Sequence, residues 1–249
     1  MSDEKPNHRR KRGIYLLPNL FTTGVLFGGF FAVLSAVDGR FEKAAIAIFV
    51  AMVMDGLDGR VARLTNTQTA FGGEYDSLSD MVAFGLAPGL VMYLWALQDM
   101  GRLGWLAAFV YVAGAALRLA RFNTQLGVGD KRFFQGLPSP SAAAIVAGMV
   151  WLGVDHGIDA GAIAPVAAVL TALVGLAMVS NLRYHSFKQV DFRGRVPFFA
   201  LVLIAVVAAV VVTEPPLVLF GLFLAYALSG PVLTFIGMRQ RRAQRQGRP

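Results

Sequence analysis

Apolar runs of membrane-spanning length, separated by short polar breaks, dominate the chain. They fall near 19–37, 43–63, 73–97, 103–124, 139–155, 160–181, 197–213 and 215–237. A helix needs roughly 20 apolar residues to cross a hydrocarbon layer, and each run comes close to that. The breaks are turn-forming or charged: DGRFE, LTNTQTA, QDMGRLG, the longer stretch 125–138, DHGID, the basic stretch 183–196 and TEPP. Glu214, Pro215 and Pro216 leave space only for a tight hairpin between the last two runs. Backbone groups in lipid must be satisfied internally, so runs of this length read as helices. The pattern predicts an all-α fold, a polytopic integral membrane helical bundle with about eight transmembrane helices.

The organisation follows the same pattern. Residues 1–18 read as a basic N-terminal segment, with a short interfacial helix expected near Ile14–Leu17. Residues 19–196 form the membrane domain that holds the candidate chemistry, 197–238 a C-terminal transmembrane hairpin, and 239–249 a basic tail. Composition agrees: 56% of the 249 residues are hydrophobic and only 15% are charged, a membrane balance rather than that of a soluble core. There is no cysteine, which excludes a disulfide framework and thiolate chemistry. The net charge of +8 could point to nucleic acid, but its distribution points to topology instead. With eight spans, 20 of the 23 Lys and Arg residues fall on one side, leaving Arg40, Lys43 and Arg102 on the other. By the positive-inside rule both termini face the cytoplasm, in a bacterial-type inner membrane. The tail RQRRAQRQGRP is then a topogenic, headgroup-binding segment, and no nucleic-acid partner is expected.

Against that apolar background, Asp55 to Asp80 stands out: DGLDGRVARLTNTQTAFGGEYDSLSD. Asp55, Asp58, Gly59, Ala62 and Arg63 follow at i, i+3, i+4, i+7 and i+8, one face of a helix. Asp76 and Asp80 are i, i+4 on the next helix, which Gly72 and Gly73 are expected to start. Two helices joined by so short a link pack antiparallel, which brings four carboxylates together. Their mutual repulsion in a low-dielectric setting demands cations, and an all-oxygen ligand set suits Mg²⁺, Mn²⁺ or Ca²⁺ rather than zinc. Gly59, Ala62 and Gly72 leave space for a bulky group, and Arg63 is a fork donor suited to phosphate. Together these residues point to metal-assisted phosphoryl or phosphatidyl transfer. Helix-end capping alone would need one polar residue per end, not four convergent carboxylates.

The same residues fit D-x2-D-G-x2-A-R-x8-G-x3-D-x3-D without a mismatch: Asp55, Asp58, Gly59, Ala62, Arg63, Gly72, Asp76 and Asp80. This resembles the signature of the CDP-alcohol phosphotransferases, integral membrane enzymes of phospholipid synthesis. Three later stretches, RLARFN (118–123), GLPSP (136–140) and SNLRYHSFK (180–188), look like the branch that uses CDP-diacylglycerol and serine. The resemblance covers the first six spans and implies a six-helix catalytic core. It implies two divalent ions, Mg²⁺ or Mn²⁺, on Asp55, Asp58, Asp76 and Asp80, with Asp80 also serving as general base. It implies CDP-diacylglycerol held by Asp58, Gly59, Ala62, Arg63 and Gly72, with Asn19, Thr22 and Thr69 bordering the nucleotide, and it implies a homodimer. From the residues alone, Asn19 and Thr22 could equally cap the first span, and Thr69 could be a solvated link residue.

Arg118 and Arg121 are i, i+3 at the end of the fourth span. They read either as interfacial snorkelling arginines or, with Asn123 and Arg183, as anchors for the carboxylate of L-serine. Choline, glycerol phosphate or inositol phosphate are the other acceptors this chemistry allows. An intramembrane cation transporter is the reading from another class, but no inverted repeat is visible. The H-x-K-x4-D pattern of phospho-histidine phosphatidyl transfer is absent, and so is a Walker A loop.

Overall fold

The computed structural model describes residues 16–65, 69–124, 133–185 and 212–246. Helix α1 is Leu16–Val37, α2 is Phe41–Thr65 and α3 is Ala70–Met100. They are followed by α4 (Arg102–Thr124), α5 (Ser139–Asp155), α6 (Ala160–Val179) and α7 (Pro215–Gln246). Two short strands, β1 (Phe133–Gln135) and β2 (Arg183–His185), pair antiparallel, with Phe134 opposite Tyr184. The all-α expectation therefore holds apart from one small ribbon.

Five helices among the described residues are long and apolar enough to cross a membrane, and α5 is a shorter apolar helix. The expected count of eight is not reached there. Helix α2 is long enough, but Glu42 and Lys43 at one end and Asp55, Asp58, Arg60 and Arg63 at the other shorten its clean apolar run. The run 197–213 lies outside the described residues up to 211, as does the first half of the expected interfacial helix at Ile14–Leu17. Leu16 and Leu17 already belong to α1.

Local signals end and start the helices. After α1, Gly39 adopts φ +72°, Gly39 N–H donates to Ala36 O and Arg40 N–H to Ser35 O, a Schellman-type stop. Asp159 starts α6 by accepting from the Gly161 and Ala162 amides. The α3 N-cap is Thr69, whose Oγ1 accepts from Gly72 N–H at 3.0 Å, so the helix begins at Ala70, earlier than the glycine pair.

Packing is set by backbone approach at small residues. Helix α1 lies between α2 and α3. A Cβ on Gly28 would stand 3.0 Å from Ala51 Cβ, and one on Gly29 would stand 2.6 Å from Ala83 Cα. The contacts Gly28–Ala51 and Thr22–Asp58 run in opposite senses, so α1 and α2 are antiparallel. Asn19–Gly72, Thr23–Tyr75 and Gly29–Ala83 run in the same sense, so α1 and α3 are parallel. Gly114 and Gly175 do the same between α4 and α6, where a Cβ on either would meet the other helix's backbone. Helix α5 is the buried centre: Ala142, Ala143, Ala144, Ile145, Val146 and Ala147 are at most 1% exposed. Phe27, Phe30, Trp105, Phe109, Val166 and Val169 point outward, as a lipid-facing surface requires.

Helix α3 is not uniform. It passes through π-helical turns at Met81–Leu86 and Tyr93–Leu97. Pro88 has no N–H, so the Phe84 carbonyl loses its helical donor. Tyr111, fully buried on α4, donates its hydroxyl to Phe84 O at 2.8 Å and restores the bond.

The close approach at Gly29 is testable. Gly29→Leu should destabilise the protein by about 1–3 kcal/mol through overpacking. Gly221→Ala, where a Cβ meets nothing within 4 Å, should leave stability unchanged. Thermal melting in detergent checks both; equal melting of the two variants would mean that the α1–α3 contact is not set by Gly29.

Candidate active site

The register of α1, α2 and α3 collects the aspartates at one end of the bundle. One carboxylate oxygen each of Asp55, Asp76 and Asp80 lies within 4.8 Å of the others. Asp58 is set apart: it is buried at 5% exposure and its Oδ2 accepts from Thr22 Oγ1 at 3.0 Å. Asp80 is the innermost member, within electrostatic reach of Asp55, Asp76, Asp58 and the Arg118 guanidinium. Its Oδ1 is buried and has no hydrogen-bond donor among the described residues.

This arrangement fits a divalent metal. Three carboxylates converge, one of them carries a buried oxygen with no donor among the described residues, and Arg118 is the one basic group among those residues acting on Asp80. Leaving such charges uncompensated away from water costs several kcal/mol per group, of order. The donors are all hard carboxylate oxygens, which suit Mg²⁺, Mn²⁺ or Ca²⁺.

The other expected residues fall around this centre. Asn19 and Thr69 meet at Gly72, where a Cβ would stand 3.1 Å from Thr69 Oγ1 and 3.6 Å from Asn19 Oδ1. Thr69 therefore has a capping role whatever else it touches. Gly59 and Gly73 have open space where a Cβ would be, so the backbone beside the aspartates is accessible. Ala62 and Arg63 continue α2 beyond Gly59, and their side chains lie outside the described residues.

The two arginines of α4 part company. Arg118 reaches toward Asp80 while its Nη1 donates to Ser139 Oγ at 2.8 Å; its Nε is buried without a hydrogen-bond acceptor among the described residues. Arg121 turns to α6, where its Nη1 donates to Val179 O at 3.3 Å and closes the end of that helix. Asn123 is held by Ser77, one helical turn before Asp80 on the chain. Arg183 lies on β2 in register with Gln135, and its side chain is outside the described residues.

Ser139 comes from the GLPSP turn. Gly136 sits at φ +78°, where a Cβ would strike Met178 O, and its N–H donates to Leu182 O at 2.9 Å. That turn lets α5 begin directly beneath Arg118. Sequence reasoning identified the turn but did not single out Ser139. It also missed Tyr226 on α7, which lies within electrostatic reach of Arg118.

Comparison with known proteins agrees with the motif. The family model described as CDP-alcohol phosphatidyltransferase matches residues 15–178. The chain belongs to this family. In the CDP-alcohol phosphatidyltransferase frame, the match covers α1 to α6 almost completely and stops before β2 and α7. Among curated relatives, the CDP-diacylglycerol–serine O-phosphatidyltransferase of Helicobacter pylori (strain ATCC 700392 / 26695) is 38% identical over 215 residues, 86% of this chain and 90% of its own. A protein of the same name from Mycobacterium leprae is 31% identical over 89% of this chain and 75% of its own. The archaetidylserine synthase of Methanothermobacter thermautotrophicus is 32% identical over 72% of this chain and 73% of its own.

The Thr22–Asp58 bond gives a local test. Thr22→Val keeps the shape but strands a buried carboxylate oxygen, which should cost about 1–3 kcal/mol. Thr22→Ser keeps the hydroxyl and should lie close to the wild-type melting temperature. If the two variants melt alike, the hydroxyl does not hold Asp58.

Proposed function

We propose that this protein is a phosphatidylserine synthase. It transfers the phosphatidyl group of CDP-diacylglycerol to the hydroxyl of L-serine and releases CMP. The observation that carries the reading is Asp80, grouped with two other carboxylates, within electrostatic reach of the Arg118 guanidinium, and bearing a buried oxygen with no donor among the described residues. The names of the relatives support the substrate pair.

Asp55, Asp76 and Asp80 would hold divalent ions, Mg²⁺ or Mn²⁺, with Asp58 completing the set. Bound there, the ions supply positive charge for the donor's pyrophosphate and for CMP as it leaves. Asn19, Thr22, Thr69 and Gly72 border the nucleotide side, where the bare backbones of Gly59 and Gly73 let the CDP group come close. Arg63 adds a fork donor for phosphate. Asp80 accepts the proton of the serine hydroxyl. The serine oxygen bonds to the phosphorus bearing the diacylglycerol as the bond from that phosphorus to the CMP oxygen breaks. Arg118 holds the serine carboxylate by a charge-assisted bond. Arg121 is better explained as an anchor of α6, since its guanidinium already serves Val179 O. The site opens to the cytoplasm, where serine and CMP are soluble, and the enzyme works as a homodimer in an inner membrane.

Two experiments test this. First, CMP release from CDP-diacylglycerol is measured with serine, choline, glycerol phosphate and inositol phosphate in turn. Serine alone should support turnover, and Asp76→Asn should abolish it together with Mn²⁺ binding followed by electron paramagnetic resonance. Turnover with another acceptor and not with serine removes the serine assignment; near-normal activity of Asp76→Asn removes the metal assignment. Second, Arg118→Ala should raise the serine KM about tenfold or more through loss of a charge-assisted bond. Arg121→Ala should lower the melting temperature and leave serine KM unchanged. The reverse pattern would transfer the acceptor role to Arg121.

A further inference from the structure

Helix α7 lies beyond the part of the chain that the family model matches. It is nevertheless keyed onto the site by a device that also occurs in α3. Pro231 interrupts α7, and a proline lacks the N–H that would bond the carbonyl four residues earlier, here Ala227. Tyr184 of β2 supplies the missing donor: its hydroxyl donates to Ala227 O at 3.2 Å. Tyr184 is 1% exposed, and a Cβ on Gly230 would collide with its ring. Burial pushes its phenol above the ordinary range, so the hydroxyl remains a donor. Gly230 and Pro231 thus form a notch with an open acceptor, and β2 fills it. That contact keys α7 onto β2.

Tyr226 stands one turn before the notch, at i−4 from Gly230, on the same face. Its ring packs on Tyr184 with centroids 5.6 Å apart and planes at 47°. From there it lies within electrostatic reach of the Arg118 guanidinium, whose Nη1 donates to Ser139 Oγ. Three helices therefore contribute to one spot: α4 gives Arg118, α5 gives Ser139 and α7 gives Tyr226. Arg118 still has a buried Nε with no acceptor among the described residues, so one more oxygen can be held there.

We propose that Tyr226 is an acceptor-binding residue: its hydroxyl and the Arg118 guanidinium together grip the carboxylate of the amino-acid acceptor. This rests on the serine reading above and adds a residue from outside the six-helix core. The carboxylate is the group that distinguishes an amino acid from a simple alcohol such as ethanolamine. Tyr226 would accordingly set acceptor choice rather than donor binding.

The test is Tyr226→Phe in the full-length protein, with serine titrated at saturating CDP-diacylglycerol and the lipid titrated at saturating serine. The ring that packs on Tyr184 is retained, and KM does not depend on how much of a preparation is folded. Serine KM should rise about tenfold, while KM for CDP-diacylglycerol stays within about twofold. If turnover is too slow to titrate, calorimetric titration of L-serine and of CDP-diacylglycerol into the Mn²⁺-loaded variant gives the same comparison. Selective weakening of serine supports the proposal. Unchanged serine affinity, or equal weakening of both substrates, overturns it and leaves Tyr226 as a packing residue. If the unmodified protein shows no serine-dependent CMP release, the functional reading itself fails and this proposal with it.

Discussion

The site depends on how closely α1 can approach its two neighbours. Carboxylates that repel one another will not gather in a low-dielectric bundle unless packing forces them to. Here the force is steric fit: Gly28 lets α1 sit on Ala51 of α2, and Gly29 lets it sit on Ala83 of α3. Without hydrophobic drive between helices in lipid, such van der Waals contact at small residues is the main source of association. Because α1 is antiparallel to α2 and parallel to α3, these contacts set both registers at once. The registers in turn bring the end of α2 and the start of α3 level, which places Asp55, Asp76 and Asp80 around one point. The same geometry puts Thr22 against Asp58 and Asn19 against Gly72.

A second constraint recurs through the bundle. Every polar backbone group must find a partner where water is scarce. Pro88 and Pro231 each free a carbonyl locally, and a tyrosine from another element satisfies it: Tyr111 for the carbonyl freed by Pro88, Tyr184 for the one freed by Pro231. The repairs also tie helices together. Tyr111 pins α4 to the irregular part of α3 just beyond Asp80, and Tyr184 pins α7 to β2. Proline here acts less as a breaker than as a socket, because the freed carbonyl accepts only a donor that arrives from another element.

Charge balance then explains how the arginines are distributed. Arg118 compensates part of the negative charge around Asp80 and is steadied by Ser139. Arg121, only one turn further, is spent on the open end of α6. Equivalent residues on one helical face thus do different work, since the neighbours of that face change within a turn.

Much was determined by the sequence alone. The apolar runs made the membrane helices legible, because span length and composition are properties of a continuous segment. The aspartate motif was legible for a similar reason: i, i+3 and i+4 spacing on two adjacent helices implies convergence once the link is short. The helix stop at Gly39 and the irregular turn at Gly136 also lay in local chemistry. Tertiary structure alone decided the rest. That Asp58 turns to Thr22 depends on a contact 36 residues apart in the chain. That Arg118 comes within electrostatic reach of Asp80 while Arg121 turns to Val179, that Phe133–Gln135 pairs with Arg183–His185, and that Tyr226 comes within electrostatic reach of Arg118 depend on separations longer still. The Gly230–Pro231 pair interrupts an apolar run, and its meaning needed the ring of Tyr184, 46 residues earlier, to occupy the space that the glycine leaves. Spacing along one helix can say which side chains share a face; only packing says what that face meets.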